Sequence, residues 1–193
     1  PPGIEIIDQM MGHLQMPYYV GWLSAATLRG VTHHAPQEFQ VAVTRSLRSR
    51  TVGRTRFVFA QRKVVQELTE THQTNSGAAV VSTLACTFLD IANDVELAGG
   101  INNAATVLVE LAELDAFSIQ AVADLAPHFP ASALRRAGWI LEAFGRRSDV
   151  GALRRVALLG AHKPSRLVPS GEPAGPVDAA WALYINGTVE PDL

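Results

Sequence analysis

The sequence predicts an α+β fold, because its strand-like segments come mostly before its helical ones. Apolar and polar residues alternate at 39–44, which is typical of a half-buried strand, and 56–60 form a second strand-like segment. After residue 82 apolar residues recur at helical spacing, and a last strand-like segment, 181–186, lies near the end. We therefore expect a small mixed β-sheet, a helical N-terminal segment, a following helical bundle, and a terminal strand returning to the sheet.

Two helices are predicted before the first strand. The first is indicated by apolar residues at helical spacing, namely Ile4, Ile7, Met11 and Leu14. The second is Met16–Gly30, MPYYVGWLSAATLRG, which is too short and too mixed in polarity to span a bilayer. Pro17 fits its first turn, and Gly30 fits the position after its last. We expect this second helix to be largely buried.

Shorter segments complete the predicted sheet. Residues 51–54, which include Gly53, form the loop between the first two strands. A weaker strand is predicted at 65–71, and the turn-forming segment HQTNSG follows it. A short apolar strand at 79–81 comes last before the helices.

The second half of the chain has helical periodicity. Ser82 or Thr83 can cap a helix whose apolar face is Leu84, Phe88, Ile91 and Val95. Gly99-Gly100 ends that helical region, and further helices are predicted from about 102 to 114 and at 119–126, 131–144 and 149–159. Ser132 is a candidate cap, and Trp22, Leu89 and Trp139 are candidate core residues. A long Pro/Gly-rich connection, HKPSRLVPSGEPAGP, then precedes the terminal strand.

The composition is that of a globular protein in a reducing compartment. The chain has 193 residues, 48% of them hydrophobic, and a formal net charge of -2. One cysteine, Cys86, excludes an internal disulfide and a multi-cysteine zinc site. No transmembrane stretch is evident, and Met16–Gly30 is not expected to be the apolar region of a signal peptide, since no Lys or Arg precedes it. We expect a cytoplasmic protein with no membrane partner.

The charges are strongly segregated along the chain. Residues 29–63 contain a single acid, Glu38, and eight basic residues, whereas residues 64–128 contain no Lys or Arg. The acids of that second segment are Glu67, Glu70, Asp90, Asp94, Glu96, Glu110, Glu113, Asp115 and Asp124. Such asymmetry favours a contact with a polyanion or with a charged protein. The alternative is that the two patches lie side by side and neutralise each other.

No catalytic constellation is evident. The sequence has no phosphate-binding loop, no GxGxxG and no GxSxG motif. Cys86 lies in an apolar helix as a structural thiol, and His33-His34 are interpreted as turn residues. Gln61-Arg62-Lys63 is similar to half of a nuclease site, but no carboxylate between Glu38 and Glu67 could hold the metal. We therefore predict no enzymatic activity, no metal site and no cofactor.

The candidate binding site is the basic segment. In TRSLRSRTVGRTRF, arginines alternate with Ser and Thr, a composition suited to phosphate contacts. The predicted patch, for nucleic acid or a protein partner, is Arg45, Arg48, Arg50, Arg54, Arg56, Arg62 and Lys63. These residues flank predicted strands, and no helix-turn-helix is evident. One alternative is therefore a stand-alone DNA-binding protein that uses this patch.

The order of several motifs resembles the C-terminal region of AbiEi-type antitoxins, from type IV toxin–antitoxin pairs. The matching segments are YYVGWLSAATLRGVT, PQEFQVAV, RFVFAQRK, VVSTLACTFLD, ALRRAGWILEAFG and WALYINGTVEPDL. They include Arg135-Arg136-Ala137-Gly138-Trp139, and their order covers nearly the whole chain. A departure is Cys86, where the family commonly has an Arg.

The resemblance implies an antitoxin that neutralises a nucleotidyltransferase-like toxin encoded beside it and often represses its own operon by binding operator DNA. It implies one antitoxin domain over 1–193, with a possible subdivision into 1–98 and 99–193. The N-terminal winged helix of full-length members is not within these residues. The domain would act by contact, in keeping with its segregated charge.

Overall fold

The computed structural model describes residues 2–31, 38–160 and 163–193, and the chain divides into two compact units. Unit 1 is Pro1–Thr87 and unit 2 is Phe88–Leu193. The boundary falls within a helix, Leu84–Asn93, whereas the sequence suggested a subdivision at 98/99. His33 and His34, interpreted above as turn residues, lie outside the described residues.

Unit 1 is built on a mixed six-stranded sheet, with strand order β3-β4-β2-β1-β6-β5. The pairs β2–β4 and β1–β6 are parallel, and the other neighbouring pairs are antiparallel. This confirms the α+β class and the mixed sheet. The elements are α1 (Gly3–His13), β1 (Tyr18–Val20), α2 (Trp22–Leu28), β2 (Glu38–Val43), β3 (Arg50–Val52), β4 (Thr55–Gln61), a 3-10 turn (Gln66–Leu68), β5 (Thr69–Thr74) and β6 (Gly77–Ser82).

The core of unit 1 lies between α1 and one face of the sheet. Alternate residues of the strands point to this face, as the period of two requires. Helix α1 approaches closely because Gly3 has no side chain: a Cβ there would lie 2.6 Å from the Phe39 ring. The buried cluster comprises Ile7, Met11, Met16, Tyr18, Val20, Ala25, Val41, Val43, Phe57, Ala79 and Val81.

The predicted second helix, Met16–Gly30, is wrong in its first part, which forms strand β1. Tyr18 pairs with Val43 and is buried in the sheet, so long-range pairing overrides the local helical pattern. Its hydroxyl donates to Asp8 Oδ1 at 2.9 Å and accepts from the Val80 N–H at 3.2 Å. Burial raises the pKa of the Tyr18 hydroxyl above its ordinary value.

A buried glutamine, Gln40, holds the turn between β1 and α2. Its carbonyl accepts from Gly21 N at 3.2 Å, and its side-chain Oε1 accepts from Leu23 N at 2.9 Å. Its own N–H donates to Ser24 Oγ at 2.9 Å. Trp22 lies between these anchored residues and has a φ of +48°. This backbone conformation is unfavourable for a bulky side chain, and the hydrogen bonds on either side hold it in place.

The remaining differences in unit 1 concern short strands. Residues 51–54 were expected as a loop, but Arg50–Val52 pair with β4 as strand β3. The weaker strand expected at 65–71 begins later, as a 3-10 turn and then β5. β5 continues into the segment expected as a turn, because its polar residues pair with β6 up to Thr74. Thr83 caps the helix that follows, since its Oγ1 accepts from Cys86 N at 3.2 Å.

Unit 2 is mainly helical, as predicted. It contains the larger part of α3 (Leu84–Asn93), then α4 (Ile101–Glu113), α5 (Ile119–Asp124), a 3-10 turn (Ala126–His128), α6 (Ala131–Ala143), α7 (Gly151–Ala157), β7 (Ser165–Arg166), β8 (Val177–Asp178) and β9 (Leu183–Tyr184). The terminal strand does not return to the main sheet, which corrects that expectation. β9 instead pairs with β7 in parallel and with β8 in antiparallel orientation, in a separate small sheet.

Two buried arginines of α6 hold the backbone of the C-terminal segment. Arg135 donates from Nε to Ala157 O at 3.0 Å and from Nη1 to Lys163 O at 2.9 Å. Arg136 donates to the carbonyl oxygens of Leu167 at 2.6 Å, Arg166 at 2.8 Å and Ala92. Burial lowers the pKa of Arg136 to about 10. Arg136 thus supplies a donor to the carbonyl oxygens of Arg166, in β7, and of Leu167, just after it. Because β9 pairs with β7, these bonds place the terminal strand beside α6.

The same helix seats a tryptophan against a glycine. The ring of Trp181 lies so close to Gly138 that a Cβ there would be 1.9 Å from the ring. Trp181 Nε1 donates to Glu142 Oε2 at 2.6 Å, and the Arg154 guanidinium lies 4.8 Å from the ring centroid. Trp181 is fully buried, whereas Trp139, expected in the core, is only half-buried. Trp22 and Leu89 are buried as predicted.

The other details of unit 2 need few corrections. Helix α6 begins after Pro130, so Ser132 lies inside the first turn and is not the cap. Helix α4 begins after Gly100, close to where the sequence placed it. Within the described part of the chain, no helix has the length and apolar character needed to cross a membrane.

We expect Arg136→Met to lower the free energy of unfolding by about 3–5 kcal/mol, because three carbonyl oxygens, two of them in buried hydrogen bonds, lose their charged donor. Arg155→Met, at an exposed position of α7, is the matched control and should change it by less than about 0.5 kcal/mol. Urea unfolding followed by circular dichroism measures both. Equal stability of the two variants would show that the Arg136 contacts contribute nothing.

Candidate partner interface on the basic hairpin

The predicted basic patch lies on and around one β-hairpin at the edge of the unit 1 sheet. We call residues 45–63 the basic segment, and β3, the Gly53-Arg54 turn and β4 the basic hairpin. Gly53 has a φ of +61°, which a tight two-residue hairpin turn requires at its first position. β3 is the outermost strand and pairs only with β4. The turn and the edge strand therefore present the arginines to solvent.

The arginines of the hairpin project from both faces of the sheet. Arg50 pairs with Phe57 and therefore shares its face, where its guanidinium lies 6.0 Å from the Phe59 ring centroid. Arg56 is adjacent to Phe57 and so points to the opposite face, where its Nε lies 3.0 Å from Glu38 Oε1. Both groups of this ion pair are largely exposed, so the pair stabilises the fold little. The hairpin is a cationic edge with two basic faces.

Four predicted residues stand free of carboxylates. Arg45 and Arg48 lie in the exposed connection before β3, Arg54 lies in the turn, and Lys63 follows β4. No carboxylate of the described residues lies within salt-bridge distance of these four side chains. They are the cations most available to an anionic surface or to phosphates.

Arg62 differs from the rest of the patch. Its side chain is half-buried, and its guanidinium lies 5.5 Å from the ring centroid of Trp22, which is fully buried. Its Nη1 also donates to Gln61 O at 2.7 Å. The contact joins the end of β4 to α2, so Arg62 contributes to packing as well as to charge.

Arg29 belongs to the fold and not to the exposed surface. Its Nη2 donates to Ser82 O at 2.7 Å and to Glu70 Oε1 at 2.8 Å, and its side chain is only 14% exposed. Burial lowers its pKa, and the nearby Glu70 carboxylate opposes that change. Arg29 thus ties the end of α2 to strands β5 and β6.

The acidic residues of 64–128 do not all lie at the surface. Asp90 is fully buried, and Asp94 and Glu110 are half-buried. Glu67 and Glu70 are exposed in unit 1, and the remaining exposed acids are in unit 2. Cys86 is fully buried, which agrees with a structural thiol. Across residues 2–31, 38–160 and 163–193, no three His, Cys, Asp or Glu side chains are placed to hold a metal ion.

The edge strand β3 and the packing roles of Arg29 and Arg62 were not predicted from the sequence. The segment Arg50-Thr51-Val52-Gly53-Arg54-Thr55 carries a usable signal, since β-forming residues, Thr51-Val52 before and Thr55 after, flank a Gly-X turn. No local signal distinguishes Arg62 from Lys63, because only the position of Trp22 in the fold decides which side chain packs.

The family model of the AbiEi antitoxin C-terminal domain matches residues 19–143, which is more than half of the 193-residue chain. This match confirms the resemblance seen in the sequence motifs. The matched residues include the whole basic segment and both buried arginines of α6. No curated protein matches the chain.

One solved structure with a similar fold is the crystal structure of the RV2827C protein from Mycobacterium tuberculosis. The two structures superpose with a TM-score of 0.63 at 14% sequence identity, over 92% of this chain and 65% of that chain. At this identity the likeness concerns the fold alone. The present chain thus spans just under two-thirds of the length of that protein.

We expect Arg62→Ala to lower the free energy of unfolding by about 1–2 kcal/mol, because it removes the cation–π contact with Trp22 and the packing of the arginine stem. Lys63→Ala removes the same charge from an exposed neighbour and should change it by less than about 0.5 kcal/mol. Urea unfolding measures both. Indistinguishable midpoints would assign Arg62 to the exposed patch.

Proposed function

The chain belongs to the AbiEi antitoxin C-terminal domain family, and we propose that it neutralises a nucleotidyltransferase-like toxin encoded beside it. The family match over residues 19–143 is the observation that carries this proposal. We further propose that the protein acts in the cytoplasm, without catalysis of its own and without a cofactor. Repression of its own operon would be a second role, with operator DNA as the partner.

The exposed basic hairpin supports a contact role. Arginine is enriched at protein interfaces, and complementary charge speeds encounter and selects the partner. Enzymes that transfer nucleotidyl groups hold divalent cations with acidic side chains. A cationic edge with several unpaired arginines fits an acidic surface of such an enzyme. We therefore propose that Arg45, Arg48 and Arg54, the exposed arginines outside the strands, contact the toxin.

A second candidate function is DNA binding through the same hairpin. The observation that favours it is the density of exposed arginines among Ser and Thr in residues 45–56. Guanidinium and hydroxyl groups in a β-ribbon can contact phosphates, and strands can enter a DNA groove. The two functions share residues, so they are separated by which partner loses affinity when the charges are reversed.

The test of the antitoxin role is growth rescue during co-expression with the neighbouring toxin gene. We expect wild type to restore growth. The triple variant Arg45→Glu, Arg48→Glu, Arg54→Glu, which we call the hairpin variant because its residues lie on or next to the basic hairpin, should lose most of that rescue through charge repulsion. The matched control is Arg146→Glu, Arg155→Glu, Lys163→Glu, which changes the net charge equally at exposed positions of unit 2. Circular dichroism verifies that both variants are folded.

Each result of that experiment has a distinct meaning. Full rescue by the folded hairpin variant would contradict the electrostatic contact while leaving the antitoxin role intact. Loss of rescue in the unit 2 control alone would move the contact to unit 2. Failure of wild type to rescue growth would contradict the antitoxin role for this chain.

DNA binding predicts a salt dependence that the same variants can measure. If the three arginines contact phosphates, the slope of log affinity against log salt should fall by about one unit per lost contact. Fluorescence anisotropy with a duplex from the operon promoter measures the slope for wild type, the hairpin variant and the unit 2 control. An unchanged slope in the hairpin variant would contradict a phosphate-binding role for these residues.

A further inference from the structure

The two edges of the unit 1 sheet differ in how well they are protected from pairing with another chain. β3 at one edge has only three residues and is flanked by exposed arginines, which disfavour further strand pairing. β5 at the other edge has six residues, TETHQT, with no Lys, Arg or Pro. Its residues are exposed or half-exposed along its whole length. β5 therefore has no lysine, no proline and no bulge in its pairing with β6 that would block a further strand, and its one carboxylate, Glu70, is paired with Arg29.

The hydrogen-bond pattern shows which backbone groups of β5 face outward. Thr83 N donates to Leu68 O at 2.9 Å, so Leu68 and Thr83 are a hydrogen-bonded position of the antiparallel ladder. Val80, opposite Thr71, donates its N–H instead to the Tyr18 hydroxyl on the other side. Because hydrogen-bonded and non-bonded positions alternate, the residues that direct backbone groups away from β6 are Thr69, Thr71 and Gln73. Thr71 and Gln73 offer N–H and C=O, whereas Thr69 offers its C=O, since its N–H donates to Gln66 O in the preceding 3-10 turn.

We propose that β5 pairs antiparallel with β5 of a second copy of this chain, about a two-fold axis at Thr71. In this register Thr71 faces Thr71 of the other copy, and Thr69 faces Gln73. It forms about four backbone hydrogen bonds: two between the Thr71 residues and one from each Gln73 N–H to Thr69 O, because the Thr69 N–H already donates to Gln66 O. Of the registers shifted by two residues, one leaves about two backbone bonds, and the other keeps about four but places His72 opposite His72. The result is a continuous sheet across both copies.

The side chains complement each other in this same register. Glu70 of one copy lies opposite His72 of the other, and the two-fold axis forms this pair twice. A register shifted by two residues would place Glu70 opposite Glu70, which repels, or His72 opposite His72. The Glu70 side chain is 53% exposed although it contacts Arg29, so its carboxylate can accept a further hydrogen bond. Self-complementarity of this kind is what a two-fold interface needs.

The first test compares two proline variants at matching positions of the two edges. Thr71→Pro removes an outward N–H of β5, and Thr51→Pro removes an outward N–H of β3. The Thr51 N–H points outward because Thr51 lies next to Val52, which forms the hydrogen-bonded pair with Thr55 at the turn. Proline is tolerated at such positions because the N–H faces solvent. Sedimentation velocity from about 1 to about 100 μM should show a concentration-dependent dimer for wild type and Thr51→Pro. For Thr71→Pro we expect dimerisation at least about tenfold weaker.

The second test checks the register by cysteine cross-linking under mild oxidation. Thr71→Cys should form a covalent dimer, because facing Cα atoms in a hydrogen-bonded pair are about 5.5 Å apart. Gln73→Cys alone should not, since the two introduced thiols would be about 13 Å apart along the strands. A mixture of Thr69→Cys and Gln73→Cys should cross-link. The native Cys86 is buried and gives little background.

Three results would overturn the proposal. These are a wild-type chain that stays monomeric at every concentration, a Thr71→Pro variant that dimerises as well as wild type, and efficient cross-linking of Gln73→Cys alone. If wild type is monomeric and Thr71→Pro loses toxin binding, the edge pairs with the toxin and not with a second copy. The growth-rescue experiment is independent of these outcomes, because it does not require a dimer.

Discussion

Buried backbone groups must find hydrogen-bond partners, and in both units buried side chains of distant residues supply them. In unit 1, Gln40 bonds the start of α2 from the neighbouring strand β2. In unit 2, Arg135 and Arg136 donate to carbonyl oxygens of the C-terminal segment, among them those of Lys163, Arg166 and Leu167. These strands have two residues each, so their own ladder could satisfy few groups. The C-terminal segment consequently depends on α6 for its position.

Charge in this protein divides into structural and exposed parts. Arg29, Arg62, Arg135 and Arg136 are wholly or partly buried and bond or pack against defined groups. The exposed cations of unit 1 are instead concentrated in the basic segment, on the hairpin and in the connections beside it. The arginines on the hairpin itself, Arg50, Arg54 and Arg56, have a backbone ordered by strand pairing, which lowers the entropy cost of binding through them.

The mixed sheet gives unit 1 two edges of different character. The basic edge offers charge but only a short backbone ladder, whereas the β5 edge offers a longer ladder and almost neutral side chains. Electrostatic contact suits the first edge, and backbone pairing suits the second. The proposed toxin contact and the proposed self-association would use opposite edges of one sheet and could occur together.

Local patterns were enough to predict several elements. The apolar spacing in α1 and α4 and the alternation in β2 predict those elements correctly. The alternation was wrong about burial: β2 is not half-buried, because Gln40 and Ala42 on its second face are buried as well as Val41 and Val43. Interior strands with few local partners were harder. Tyr18–Val20 reads as helix beside Trp22–Leu28, and only its pairing with β2 makes it a strand.

The sequence by itself determined the α+β class, the concentration of arginines at 45–63 and the family, since all three reside in composition, periodicity and motif order. The tertiary structure alone decided that the last strand joins a separate sheet, that Trp181 rather than Trp139 is fully buried, and which arginines reach solvent. These outcomes depend on contacts between residues far apart in the chain, such as Trp181 against Gly138 and Arg62 against Trp22. No local pattern encodes them, because packing and pairing partners are selected only when the chain is folded.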